Sequence, residues 1–405
     1  MATACATRPT PIGDGQFSEQ LQGWLLLEAV RLPGCYELMV GLCDRLVAGG
    51  VKLHRANMFG LRLHPEVRAI SSIWRRDGSS EDQPVPYDDS HLLPVWQLSP
   101  LKRIIMDGAG EIRRRIAPEL QPFEFPVLDD LLVEGCSDYL CLPLIFSDHQ
   151  RSTISFVTTA PNGFSDAELD LLRSLMPILT TVAELILRRH LAEVLLNTYL
   201  GKGPGKEVLS GGITRGGHRV IEAAILVADL RDFSTLSNRM PTDQIVRLLN
   251  WFFDITVAAV TAQGGEVLKF IGDGLLAIFP VSGPMTARLA AAAALAAAQI
   301  AEARLRDEVP PIALDEVLRD APIAGFGLHL GPVVYGNIGA SGRLDFTAIG
   351  TAVNLTTRLE ALTRRLDQPI LISPALADQL TGRCRILGDY DLKGFTAPIG
   401  VFAPM

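Results

Sequence analysis

The stretch from Glu266 to Pro280, EVLKFIGDGLLAIFP, constrains the fold more than any other part of the chain. Two apolar, β-type runs flank Gly272-Asp273-Gly274, the pattern of a hairpin whose tip carries one carboxylate and is a candidate ligand site. Lys269 stands four residues before Asp273. At roughly 3.3 Å per residue the two are about 13 Å apart on an extended arm, too far to serve one small ligand together. A function that uses both needs two active sites, and hence two chains.

The 405 residues suffice for two or three domains of ordinary core size. With 48% hydrophobic and 20% charged residues, the composition is globular. A net charge of -8 argues against a general nucleic-acid binder, while local Lys and Arg leave small anionic substrates open. The six cysteines include no CxxC and the seven histidines no HExxH, which suits reduced, mostly buried thiols in a cytoplasmic protein. No uncharged apolar run reaches the roughly 18 residues of a membrane span. The polar N-terminus, MATACATRPTPIGDG, lacks an apolar signal core.

Along the chain, residues 1–16 read as a disordered tail. Phe17 to about Val51 has a helical period broken at Pro33-Gly34. Ala56–Leu63 and Val67–Trp74 are strand candidates, Asp77–Asp89 is a polar loop, and residues 91–130 give no assignable pattern. Tyr139–Phe146 and Ser152–Thr159 form a strand pair. Ser165 and Glu168 make a capping box that opens a long helix, apolar at helical spacing from Leu169 to Leu195 and with Pro177 inside it. Such a rod either pairs with its copy in a dimer or packs on its own domain. A helical, Gly-rich linker over 189–217 follows, with breakers at 201–205 and 211–212.

The strands LPLIFS and STISFVTT, then GFSDAEL and the helix after it, resemble the end of a GAF domain, a sensory module. That resemblance implies an α+β sensory domain over 17–188 and allows a small-molecule ligand there. Cys136, Cys141 and His149 read as packing or surface residues rather than a metal set.

The second domain, 218–405, reads as a strand Glu222–Ala228 ending in Asp229, a polar turn Leu230–Ser234, a helix from Pro241-Thr242 to Thr261, the hairpin, and an Ala-rich helix over Met285–Arg306. A loop to Pro322 leads to a strand Ala324–Leu330 and a second hairpin, Val333–Asn337 with Arg343–Ile349. A helix Thr351–Arg365 and a final core strand Ile370–Ser373 follow. The order βαββαβ suggests a ferredoxin-like α+β core with additions.

VADLRDFS, GGEVLKFIGDG, GLHLGPVVYGNIG, DFTAIGTAVNLTTRLE and DLKGF, in this order, resemble the motifs of the class III nucleotidyl cyclase catalytic domain. The resemblance implies conversion of a nucleoside triphosphate to a 3′,5′-cyclic monophosphate and pyrophosphate. It also implies two divalent cations, Mg²⁺ or Mn²⁺, at sites shared by two catalytic domains. Asp229 and Asp273 each follow an apolar strand, so adjacent strand ends can bring their carboxylates together on hard cations. Singly, each also reads as an ordinary turn Asp; the family likeness makes them metal ligands. The turn from Leu230, with Phe233 and Ser234, can offer backbone N–H groups to a triphosphate, although Asp232 stands where many relatives have Gly.

Asn354 and Arg358, four apart on a helix, share one face. By spacing alone that face is equally a solvated one; by resemblance it positions the ribose and stabilises charge on the α-phosphate. Lys269 and Thr347 are implied to read the base. Lysine only donates, which suits adenine N1, and a Thr hydroxyl accepts from the N6 amine. The Lys–Thr combination resembles a bacterial subgroup, some members of which respond to bicarbonate. Asp345, near but out of register, reads as a structural turn residue, and Lys393 reads equally as a phosphate contact or a surface lysine.

The expectation is therefore an adenylate cyclase that acts on ATP as a homodimer, controlled by its N-terminal domain. A guanylate cyclase and a silent nucleotide-binding module are the alternatives. Lys269 argues against the first, and the full metal, base and transition-state set against the second.

Overall fold

In a computed structural model, which describes residues 15–61, 67–87, 94–310 and 323–405, the chain divides after Leu195 into two units. The first begins with α1 (Gly15–Leu27) and α2 (Cys35–Ala48), broken around Pro33-Gly34 as the sequence implies. Strands β1 (Leu53–Leu61), β2 (Val67–Arg75) and β3 (Glu81–Pro86) follow, then α3 (Pro94–Gln97), α4 (Pro100–Ile105), β4 (Ile112–Arg115) and α5 (Val127–Val133). The hairpin β5 (Asp138–Ile145) and β6 (Arg151–Thr158) leads to α6 (Asp166–Leu200). The six strands form one antiparallel sheet in the order β3-β2-β1-β6-β5-β4. Leu25, Leu42, Leu172 and Val182 of the flanking helices bury Ala56, Leu142 and Phe156 on one face. Ile104, Leu128 and Leu131 cover Tyr139, Cys141 and Val157 on the other.

Two readings change in this unit. Gly15 and Gln16 belong to α1 rather than to a tail, and residues 1–14 lie outside the described residues. Within the stretch read as the loop Asp77–Asp89, Glu81–Pro86 is a strand. It pairs with β2 alone, and an edge position is where a sheet accepts prolines such as Pro84 and Pro86. The ends of two sequence segments, 62–63 and 88–89, fall outside the described residues. The capping box forms: the Ser165 N–H donates to Glu168 Oε2 at 2.8 Å and the Glu168 N–H to Ser165 Oγ at 3.3 Å. Pro177 sits inside α6 without ending it. Buried positions of α6 run from Glu168 to Ile186, so this part packs on its own unit, and none is buried beyond.

The second unit opens with α7 (Lys202–Leu209), a helix within the breaker-rich segment, and β7 (His218–Leu230). A short α8 (Phe233–Arg239) takes up part of the expected polar turn, and α9 (Thr242–Ala262) precedes the hairpin of β8 (Glu266–Ile271) and β9 (Gly274–Pro280). Then come α10 (Ala287–Asp307), β10 (Ala324–Ala340), β11 (Arg343–Ile349), α11 (Thr351–Leu366), β12 (Ile370–Ile372), α12 (Pro374–Ala377), β13 (Cys384–Tyr390) and β14 (Ile399–Pro404). The loop read as ending at Pro322 lies largely outside the described residues.

The sheet runs β13-β14-β12-β10-β7-β9-β8, with β11 added on β10. Four consecutive strands, β10-β7-β9-β8, are each antiparallel to their neighbours, and with α9 and α10 they realise the βαββαβ order. Leu248, Phe252 and Val260 of α9 meet Ala290, Ala294 and Ala298 of α10 over that sheet, where alanine permits close approach. Among the described residues α9 is the one helix long and apolar enough to cross a membrane, and its apolar face is this core. Two corrections apply. The expected strand and hairpin arm between Ala324 and Asn337 are one strand of 17 residues. Ile370–Ile372 is not the last strand, because β13 and β14 extend the sheet beyond it.

Candidate active site

Asp229 lies opposite Gly274 in the β7–β9 ladder, and the two-residue turn before Gly274 carries Asp273 to its side. Gly272 makes that turn at φ +63°. Gly274 has no substitute: a Cβ there would meet the Ala228 carbonyl oxygen at 2.6 Å and Asp229 Oδ1 at 2.7 Å. Both carboxylates are half-buried. Burial, then the charge of Asp273 and a hydrogen bond with it, push the Asp229 pKa up to about 7. Two adjoining carboxylates, one of them disfavoured as an anion by burial and by the other's charge, are a donor set that fits a hard dication, which takes oxygen ligands and removes the repulsion.

A third acid, which sequence reasoning missed, stands beside them. Burial pushes Glu360 up to about 8, with Asp229 and Asp273 adding to the shift and Arg231 opposing it. Glu360 is there because α11 lies directly on two glycines of β10. A Cβ on Gly325 would fall 2.3 Å from Thr363 Oγ1 and 2.8 Å from Glu360 Oε1; one on Gly327 would fall 2.3 Å from the Thr356 carbonyl. Alternating glycines in GFGLHL, facing Thr356, Glu360 and Thr363 on a helix, were the available signal.

Arg231 ties the end of β7 to α11, donating to the carbonyls of Thr363 at 3.1 Å and Gln368 at 3.0 Å. Asp232 adopts the left-handed conformation, φ +59°, which Asp tolerates better than most residues and glycine adopts freely. Its carboxylate pairs with Arg364, so the departure from glycine carries its own counter-charge. Phe233, half-buried, and Ser234, exposed, form the first turn of α8.

At the far edge of the sheet, Lys269 Nζ lies 2.9 Å from Asp345 Oδ2. Asp345 is thus more than the turn residue expected. Thr347, two residues on in β11 and so on the same side of the strand, is 2% exposed, and its hydroxyl has no partner. Asn354 and Arg358 are both exposed on α11, whose Leu355 and Leu359 face inward. Lys393 is exposed. Among the described residues no hydrogen bond or ion pair links Asp229 or Asp273 to Lys269, Thr347, Asn354 or Arg358. One chain brings the acids together and, separately, sets out the other groups.

The first unit holds a cavity of about 150 Å³ between its sheet and α3 to α5, lined by Arg55, Asn57, Leu98, Leu131, Tyr139 and Ser155 among others. Nearby, His54, Glu134 and Cys136 place ligand atoms within 4.8 Å of one another. Arg55, 3.5 Å from Glu134, already supplies positive charge there.

Residues 218–400 match the family model of the adenylate and guanylate cyclase catalytic domain. These residues are similar to a cyclase catalytic domain. The chain is 30% identical over 206 residues to adenylate cyclase 1 of Rhizobium meliloti (strain 1021), covering 49% of this chain and 30% of that protein. It is 33% identical over 157 residues to an adenylate cyclase of Anabaena cylindrica, covering 39% and 30%. The chain thus spans less than a third of the length of these curated relatives. Among solved structures, a bacterial light-regulated adenylyl cyclase is 28% identical with a TM-score of 0.46, covering 57% of this chain and 64% of that one. The acids, the Lys269 pair and the exposed face of α11 all fall inside the matched residues.

Proposed function

We propose that the chain is an adenylate cyclase, converting ATP to 3′,5′-cyclic AMP and pyrophosphate in the cytoplasm as a homodimer with shared sites. The observation that carries this reading is the Asp229–Asp273 pair, built by a hairpin tip folded onto a strand end inside the matched domain. Two divalent cations held there, Mg²⁺ or Mn²⁺, would acidify the ribose 3′-hydroxyl and neutralise phosphate charge. The start of α8, with Phe233 and Ser234, offers backbone N–H groups to the phosphates, and Lys393 is a further phosphate contact.

From the partner protomer, Lys269 donates to adenine N1 and the unpartnered Thr347 hydroxyl accepts from the N6 amine. Asn354 orients the ribose, and Arg358 stabilises charge on the α-phosphate during in-line attack by the 3′-hydroxyl. Exposed Phe270, Ile271, Leu344 and Ile349 give the hairpin edge an apolar surface suited to a second copy. The cavity of the first unit supports a GAF-like sensory role, with a small molecule as input. Membership of the Lys–Thr subgroup would make bicarbonate at fixed pH a further activator.

The test is product formation by the full chain with ATP and with GTP, in Mg²⁺ and in Mn²⁺. Cyclic AMP is expected to dominate. Cyclic GMP as the main product would replace adenine by guanine in this reading, and no product from a folded, ATP-binding dimer would leave a silent module.

A further inference from the structure

We infer that Asp345 is a positioning residue that sets base specificity by holding the Lys269 ammonium at one point of the site. The inference rests on the reading of Lys269 and Thr347 as the groups that meet the base. It starts from a defect in the sheet. Val267 pairs with Ala277, so a regular ladder would set Lys269 opposite Leu275; instead the register shifts and Lys269 pairs with Leu276. Opposed residues share a face. Leu275 belongs to the core under α9 and α10, whereas Leu276 belongs to the layer that contains Phe346 and Ala348 of β11. The bulge therefore re-aims Lys269 from the helix-covered face to the side where β11 runs, as bulges beside functional residues do. There Asp345 takes its ammonium at 2.9 Å.

Fold stability is a poor reason for this arrangement. Both side chains remain solvated, at 32% and 54% exposure, and exposed pairs contribute little. Base chemistry supplies a better one. A hydroxyl both donates and accepts, so Thr347 can accept from the adenine N6 amine or donate to guanine O6 and does not discriminate alone. A free ammonium on a four-carbon stem is hardly better, since it can reach adenine N1 or guanine O6. Pinned by Asp345, the ammonium presents its remaining donors at one place, where adenine N1 accepts and the guanine N1–H cannot. Discrimination then resides in the position of Lys269, and Asp345 sets that position without touching the base.

The experiment compares kcat and KM for ATP and GTP in the full chain for wild type, Asp345→Ala, Asp345→Asn, Asp345→Glu, Lys269→Ala and the Asp345→Ala/Lys269→Ala double variant, with melting temperatures as the check on folding. Asp345→Ala and Asp345→Asn are expected to lower the ATP-to-GTP ratio of kcat/KM about tenfold, through KM for ATP, with kcat within about threefold. Asp345→Glu should recover most of the ratio. In the Lys269→Ala background the second substitution should change nothing further, because one residue acts through the other. An unchanged ratio in folded Asp345→Asn, or additive losses in the double variant, overturns the inference while an active wild type upholds the cyclase reading. A wild type that makes neither cyclic nucleotide overturns both.

Discussion

Two charged clusters in the second unit are built on opposite principles. Asp229, Asp273 and Glu360 gather like charges in a half-buried place, and two of them carry pKa values pushed up to about 7 and 8. Lys269 and Asp345 join opposite charges at the solvated sheet edge. The first cluster is incomplete as it stands: it is relieved by protons or by cations. The second is complete without a ligand, and its value lies in where it leaves the spare N–H donors of the lysine. A region that wants a counter-ion reads as a metal site, and a region that already has one reads as a fixed pointer.

The sharpest way to break that contrast is to remove one member of each. Asp273→Ala is expected to lower turnover on the order of 10³-fold without loss of folding. Mixing those chains with Lys269→Ala chains should restore roughly a quarter of wild-type activity, since half the dimers are mixed and each has one intact site. No recovery in verified mixed dimers would place both clusters in one site. A smaller effect is expected from Gly274→Ala, which forces a Cβ against the Ala228 carbonyl and Asp229. It should cost about 1–3 kcal/mol in urea unfolding and weaken Mg²⁺ binding, leaving the Lys269–Asp345 pair intact.

The smallest effect separates the clusters by pH. The raised acids bind protons more tightly in the folded chain, so without cations their stabilisation is full below about pH 4 and is lost as pH rises through about 7 to 8. Mg²⁺ binds the ionised forms. The rise in melting temperature on adding Mg²⁺ should therefore grow by a few degrees between about pH 6 and 8.5, and Glu360→Gln should flatten the metal-free slope. A metal-free melting temperature that climbs over this range contradicts the like-charge account.

The sequence was most legible where one local rule acts alone. The capping box at Ser165 and Glu168, the apolar arms on either side of Gly272-Asp273-Gly274, and the four-residue spacing of Asn354 and Arg358 need only neighbours in the chain. It was least legible where a distant partner decides. Gly331-Pro332 reads as a break, yet β10 runs through it. The Glu222 carbonyl accepts from Val281 on its other side, so Glu222 and Pro332 form a non-hydrogen-bonded pair and the proline nitrogen points away from β7. There it falls between the end of pairing with β12 at Leu328 and the start of pairing with β11 at Val334, and no ladder bond is missed. Lys269 shows the same limit: its distance from Asp273 follows from counting residues, but the bulge that gives it to Asp345 does not. Glu360 was hidden because its neighbours in the buried stripe are two threonines and two glycines of another element.

The glycine pair under α11 has a mechanical consequence. With the Thr356 carbonyl 2.3 Å from where a Cβ on Gly327 would lie, helix and sheet touch backbone to backbone at that glycine, with no pliable side chain between them there. Such a joint cannot slip by part of a turn or be shimmed by a change of rotamer. A displacement of the helix face that carries Asn354 and Arg358 is therefore expected to carry strand and helix as one stiff block, like a jaw moved at its base rather than bent at its tip.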